Sequence, residues 1–331
     1  MKRIGVLTGG GDAPALNAVL RAITRAATND GVWVLGFQEG WKGIIEGIPM
    51  PLEWANTDGI VGEGGTILGS SRTNPFKREG AIESITENFR RYDLDAFIAI
   101  GGDDTLGVAN KLYKEKGFPI VGVPKTIDND LSATDFTFGF DTAVNRAVEA
   151  IDSLKTTARS HRRVMVVEIM GRHAGWISAF AGIASGADVV LVPERPFSLD
   201  AVAETLRKNR ARGKCYNIVA VAEGATLAQG EEFITQTAEK DEFGHVRLGG
   251  IAEELAKEMQ KRTGYEARHV ILGHLQRGGA PSAFDRVLGT RLGLKAYETV
   301  AAGSFGKMVA LRGNQVVRSE ERRVGKECRS R

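Results

Sequence analysis

Two short stretches carry the groups most able to do chemistry: Gly101-Gly102-Asp103-Asp104-Thr105 and Pro124-Lys125-Thr126-Ile127-Asp128-Asn129-Asp130. Carboxylates crowded this closely repel one another unless positive charge lies among them. A metal ion with a phosphorylated ligand would supply that charge. Two glycines followed by Asp103 and Asp104 suit Mg2+ held by few protein oxygens together with phosphate oxygens. Capping of a helix start is the plainer alternative, and each aspartate can take one of the two roles. Asp128 and Asp130, one residue apart, offer a base for an attacking hydroxyl and a second carboxylate to orient it or help hold metal. An Asp/Asn-rich turn is the alternative there.

Other polar clusters have the same setting. Gly9-Gly10-Gly11-Asp12 follows the apolar run Ile4–Leu7 and precedes a helical pattern. Glycines let backbone approach a phosphate, and a helix start supplies amide donors; an ordinary tight turn is the alternative. The spacing is neither that of a dinucleotide-binding turn nor that of a Walker loop. Met170-Gly171-Arg172 and His274-Leu275-Gln276-Arg277-Gly278-Gly279 place arginines and a histidine on glycine-flanked loops. Arginine forks grip phosphate through two parallel bonds. Arg72, Arg163 and Arg268 are weak signals taken singly.

The elements that must position these groups alternate along the chain. Strand-like runs at 4–7, 32–37, 96–100, 119–123, 163–169, 189–192, 217–222 and 270–272 are nearly all apolar. Helical patterns separate them, at 16–23, 81–91, 106–116, 141–157, 174–183, 199–209, 251–262 and 283–302. Such alternation predicts parallel sheets covered on both faces. Ligands of these folds bind beyond the carboxyl ends of strands, and every cluster above lies at such an end. The 331 residues, 42% of them hydrophobic, suffice for two domains. No apolar run approaches the ~18 residues of a membrane span, Met1–Arg3 begins no signal-peptide pattern, and two cysteines make no disulfide framework; a cytoplasmic setting is expected. The net charge of +3 equals that of residues 318–331, with six basic and three acidic side chains. The basic pI is therefore a property of the tail, and nucleic-acid binding is not expected.

Taken together, Gly9–Pro14, Gly101–Thr105, Pro124–Asp130, Met170–Arg172, Glu223-Gly224 and Gly273–Gly279 resemble the phosphofructokinases in order and spacing, over residues 1–317. The resemblance implies an α/β fold of two Rossmann-like three-layer α/β/α domains with mostly parallel sheets and an active site in the interdomain cleft. It implies a larger, donor-binding domain of residues 1–139 plus about 276–305. A smaller, fructose 6-phosphate-binding domain would comprise 140–275 plus about 306–317. It further implies phosphoryl transfer to the 1-hydroxyl of fructose 6-phosphate. In that chemistry Asp128 resembles the general base, Arg172 the arginine facing the transition-state charge, and Thr126 a residue holding the transferring group. Asp103, with Asp130, resembles the Mg2+ site; Gly11 and Arg72 resemble donor-phosphate contacts. Met170, Gly171, Glu223, His274 and Arg277 resemble sugar-phosphate contacts. Arg163 and Arg268 resemble a pair reaching in from a neighbouring copy, which implies a homodimer or homotetramer.

Asp104 and Lys125 stand where ATP-dependent members typically carry glycine, and the pair resembles the pyrophosphate-dependent branch. Pyrophosphate is therefore the expected donor and the reaction is expected to be reversible. Rival readings are an ATP-dependent enzyme and a non-catalytic sugar-phosphate-binding subunit. Arg21, Arg25 and Lys214 resemble part of the basic effector cluster of bacterial ATP-dependent members. Trp54 stands near where a further arginine is expected, which argues against control through that cluster. Residues 318–331 match nothing in the family and read as a non-native tail.

Overall fold

The computed structural model describes residues 1–228, 237–240, 246–247 and 249–319. The expected tail from residue 320 onward lies outside them. The chain begins β1 (Arg3–Thr8), α1 (Leu16–Asn29), β2 (Trp33–Phe37), α2 (Trp41–Glu46), β3 (Pro49–Leu52) and α3 (Trp54–Thr57). It continues α4 (Ala81–Arg91), β4 (Ala96–Gly101), α5 (Asp103–Lys116), β5 (Ile120–Pro124) and α6 (Phe140–His161). Next come β6 (Val164–Ile169), α7 (Trp176–Ser185), β7 (Val189–Leu191), α8 (Leu199–Ala211), β8 (Asn217–Ala222), β9 (Thr237–Lys240) and β10 (Val246–Arg247). The last elements are α9 (Ile251–Thr263), β11 (Ala267–Ile271), α10 (Ala283–Ala301), β12 (Lys307–Arg312) and β13 (Gln315–Ser319). They form two compact units. One holds residues 1–126, 130–141 and the chain from Arg277 onward; the other holds 127–129 and 142–276.

The larger unit is built on a seven-stranded sheet in the order β13-β12-β5-β4-β1-β2-β3. Side chains alternate across a strand, and here both faces are apolar. Ile98 and Ile100 of β4, with Ile4 and Val6 of β1, pack with Leu16, Val19 and Leu20 of α1 and Leu288 and Leu292 of α10. Phe97 and Ala99, with Leu7, pack with Trp41 and Ile44 of α2, Ile85 of α4 and Leu112 of α5. Helices on both faces therefore follow from strands without a polar side. The inner strands run parallel, while β2–β3 and β12–β13 are antiparallel pairs at the two edges. Pro49 and Pro51 lie in edge strand β3, where a missing amide donor is tolerated.

The smaller unit has a four-stranded parallel sheet, β11-β6-β8-β7. Val164, Val166, Val219 and Val221 pack with Leu206 of α8 and Leu255 and Met259 of α9. No helix of the described residues is long and apolar enough to cross a membrane.

Three expectations need correction. Residues 306–317 do not join the smaller unit: β12 pairs in parallel with β5 through Lys307–Val121 and Met308–Gly122, and carries β13 with it. Parallel pairing of strands so distant in sequence leaves no local pattern to read. Residues 127–129 leave the larger unit, so Asp128 and Asp130 belong to different units. Helix α5 starts at Asp103 rather than Leu106, because carboxylates are favourable in a first helical turn even where apolar periodicity has not begun.

Candidate active site

In the larger unit, the turn after β1 is enclosed by groups from distant positions. Gly9 donates its amide to the Ile100 carbonyl at 2.9 Å and Gly10 to that of Ser71 at 3.2 Å. A Cβ on Gly9 would stand 2.6 Å from Thr105 Oγ1; the glycine is what lets this turn lie against the Gly101–Thr105 motif. Lys125, only 3% exposed, donates from Nζ to the Gly11 carbonyl. Arg277 Nη1 donates to the Asp12 carbonyl at 3.0 Å. Two cations thus converge on Gly11-Asp12. The Lys125 amide donates to the Gly101 carbonyl at 2.9 Å, joining the two aspartate-bearing motifs through backbone. Asp103 is exposed and Asp104 half-buried in the first turn of α5, Asp130 is exposed beyond β5, and Arg72 is exposed. Thr126 accepts at its carbonyl from Thr137 Oγ1 at 2.7 Å.

In the smaller unit, Asp128 is 5% exposed. Arg172 adopts a left-handed backbone (φ 51°) next to Gly171 at φ 149°. Non-glycine residues pay for that conformation, and a carboxylate offsets the cost: Glu223 Oε1 accepts the amides of Gly171 at 3.2 Å and Arg172 at 2.9 Å. Glu194 Oε1 takes the Gly175 amide at 2.8 Å at the far end of the same turn. Glu168, 3% exposed, accepts the amides of Gly250 and Ala252 at the start of α9. Arg163 and Arg268 share one carboxylate, with Nε to Glu266 Oε2 at 2.7 Å and Nη2 to Glu266 Oε1 at 2.6 Å. The Arg163 guanidinium, 2.7 Å away, is the main cause holding the Glu266 pKa below the ordinary glutamate value. His274 is exposed in the turn Gly273–Gln276.

The expected site residues therefore fall into two groups. Gly11, Arg72, Asp103, Asp104, Lys125, Thr126, Asp130 and Arg277 belong to the larger unit. Arg277, expected with the sugar-phosphate contacts, lies against the glycine turn. Asp128, Arg163, Met170, Gly171, Arg172, Glu223, Arg268 and His274 belong to the smaller unit. The residues resembling an effector cluster have internal partners. The Arg25 guanidinium lies 3.2 Å from the Trp54 ring centroid and pairs with Asp58, whose carbonyl accepts Arg21 Nε at 3.2 Å. Lys214 pairs with Asp188 at 2.5 Å.

The sequence reading missed Asn17, Ser70, Glu168 and Glu194. Asn17 left a signal: it is a polar residue beside Leu16 and Leu20 on the buried face of α1. The two glutamates left none, because their partners are backbone amides.

Comparison with known proteins gives this geometry its context. Residues 3–300 match the family model described as phosphofructokinase. The chain is 57% identical over 317 residues to a protein of Amycolatopsis methanolica named pyrophosphate–fructose 6-phosphate 1-phosphotransferase, covering 96% of this chain and 92% of that one. It is 51% identical over 315 residues to one of Streptomyces coelicolor named ATP-dependent 6-phosphofructokinase 3, covering 95% and 92%. Among solved structures, phosphofructokinase from Saccharomyces cerevisiae superposes with a TM-score of 0.83 at 32% identity; 96% of this chain covers 44% of the yeast chain. With the motifs, the fold and these matches in agreement, the chain belongs to the phosphofructokinase family.

Proposed function

We propose that this protein transfers a phosphoryl group from pyrophosphate to the 1-hydroxyl of fructose 6-phosphate, reversibly, in glycolysis and gluconeogenesis in the cytoplasm. The observation that carries the choice of donor is the buried Lys125 ammonium set against Gly11, with Arg277 beside it. Concentrated positive charge at a glycine turn suits a compact, highly charged donor. Asp104 works against a nucleotide: a carboxylate ~4 Å from a phosphate charge costs about 4 kcal/mol at an effective dielectric of roughly 20. Names of relatives divide between the two donors, so the donor rests on these two side chains.

Asp128 takes the proton of the attacking hydroxyl. Its burial keeps water from competing for the carboxylate. Arg172 faces the charge on the transferring group, Thr126 helps hold that group, and Gly11 and Arg72 hold the donor. Met170, Gly171, Glu223 and His274 hold the sugar phosphate, while Arg277, set against Asp12, joins Lys125 on the donor side. Asp103 and Asp130, exposed and offering only oxygen, fit Mg2+, which takes one or two carboxylates plus phosphate oxygens; when bound it neutralises the donor's negative charge. Arg163 and Arg268 act on a neighbouring copy in a homodimer or homotetramer. The exposed Trp176, Phe180 and Ile183 of α7 support self-association.

Turnover measured with pyrophosphate and with ATP tests the donor. Pyrophosphate should be used and ATP should not. D104G/K125G should shift activity toward ATP. Equal use of ATP by the unaltered protein would refute the donor assignment, and fructose 6-phosphate binding without turnover would refute the enzyme.

A further inference from the structure

Asn17 lies in the first turn of α1 with 1% of its surface exposed. Its amide uses both ends. Nδ2 donates to the carbonyls of Glu63 at 3.3 Å and Gly64 at 3.4 Å, and Oδ1 accepts from the Ile67 amide at 2.9 Å. All three partners belong to one loop, residues 63–72, which ends on Arg72. The same loop is tied to the turn after β1. Thr8 Oγ1 donates to the Gly69 carbonyl at 2.8 Å, Ser70 Oγ donates to the Gly10 carbonyl, and the Gly10 amide returns a bond to Ser71. A Cβ on Gly64 would overlap the Gly279 carbonyl, so the loop also lies directly on the turn that follows Arg277.

We infer that Asn17 is a positioning residue for the phosphoryl donor. It never touches the donor. It fixes the start of the 63–72 loop, so that Ser70 and Ser71 hold Gly10 and Arg72 leaves the loop at a set place. The inference rests on the proposed contacts of Gly11 and Arg72 with donor phosphates. Shortening Asn17 removes three hydrogen bonds that a side chain only 1% exposed makes to half-buried backbone, and a bond lost at such a site is costly. The loop then gives up its single arrangement, and the loss falls on the donor and not on the sugar phosphate.

Calorimetric binding of pyrophosphate with Mg2+, and separately of fructose 6-phosphate, tests this on the full chain, with steady-state KM values beside them. N17A should weaken pyrophosphate about tenfold or more, with fructose 6-phosphate changed by less than about twofold. Ser70→Ala, at the half-buried far end of the loop, should weaken pyrophosphate about threefold with the same selectivity. If Asn17→Ala does not fold, Ser70→Ala decides alone. Equal weakening of both ligands, or unchanged donor affinity, overturns the inference. ATP is titrated in parallel. If the unaltered protein binds ATP in place of pyrophosphate, the donor assignment fails, and Asn17 is judged on ATP by the same selectivity.

Discussion

The two units use opposite charges on opposite backbone groups. In the larger unit, cations meet carbonyl oxygens: Lys125 at Gly11 and Arg277 at Asp12. In the smaller unit, carboxylates meet amides: Glu223 at Gly171 and Arg172, Glu194 at Gly175, and Glu168 at Gly250 and Ala252. The first arrangement gathers positive charge at a turn and so prepares it for an anion. The second gathers negative charge to hold turns in shape, including the turn that carries Arg172, proposed to face the transferring group. One unit is electrostatically preloaded; the other is geometrically braced. Preorganised charge costs nothing at the moment of reaction, whereas bracing acts through the placement of reacting groups.

Mutations can break this contrast, beginning with the largest effect. Asp128→Asn removes the proposed base and should lower turnover by about 10²- to 10⁴-fold, while pyrophosphate still binds the larger unit with unchanged affinity by calorimetry. If donor affinity collapses along with turnover, the division of labour is wrong. Glu223→Ala removes a charged acceptor from two amides, and hydrogen bonds to charged groups contribute about 1.5–3 kcal/mol. The expected loss in kcat/KM is roughly 10- to 100-fold, and Glu223→Gln should recover part of it by keeping one acceptor oxygen. No recovery by glutamine would mean that the negative charge itself is needed, which would put its proposed contact with the sugar phosphate ahead of its bracing of the turn. The smallest effect is at Glu266. Folding lowers its pKa through Arg163, so its contribution to stability is complete above the ordinary glutamate range. That contribution disappears as pH falls through the depressed value. Acid unfolding of Glu266→Gln should lack that part of the wild-type pH dependence. An identical acid limb would show that Glu266 does not fix the two arginines.

Much of this was legible because the determinants are local. The run Ala96–Ile100 reads as a strand covered on both sides, and the structure buries all of β4. The glycine-rich turns were readable because glycine marks close approach, as Thr105 against Gly9 shows. What was not legible depends on distant partners. Residues 307–312 look like any short strand, and only the edge of β5 decides which sheet they join. Asp128 lies in an exposed-looking run of polar residues yet is buried by structure outside that run. Helix α2 and strand β3 escaped notice because Gly40, Gly43 and Gly47, with Pro49 and Pro51, read as loop.

The late placement of β12 bears on how the chain matures during synthesis. Domains usually fold in the order in which they emerge. Here the larger unit, although its first residues precede those of the smaller unit, lacks α10 and the strand beside β5 until after residue 276 has been made. The smaller unit has all its sequence by Gln276. Order of emergence and order of completion are therefore reversed. Until α10 arrives, the nascent larger unit leaves the apolar surface of α1 uncovered, which makes the synthesis of the smaller unit the interval in which this protein most needs protection from aggregation.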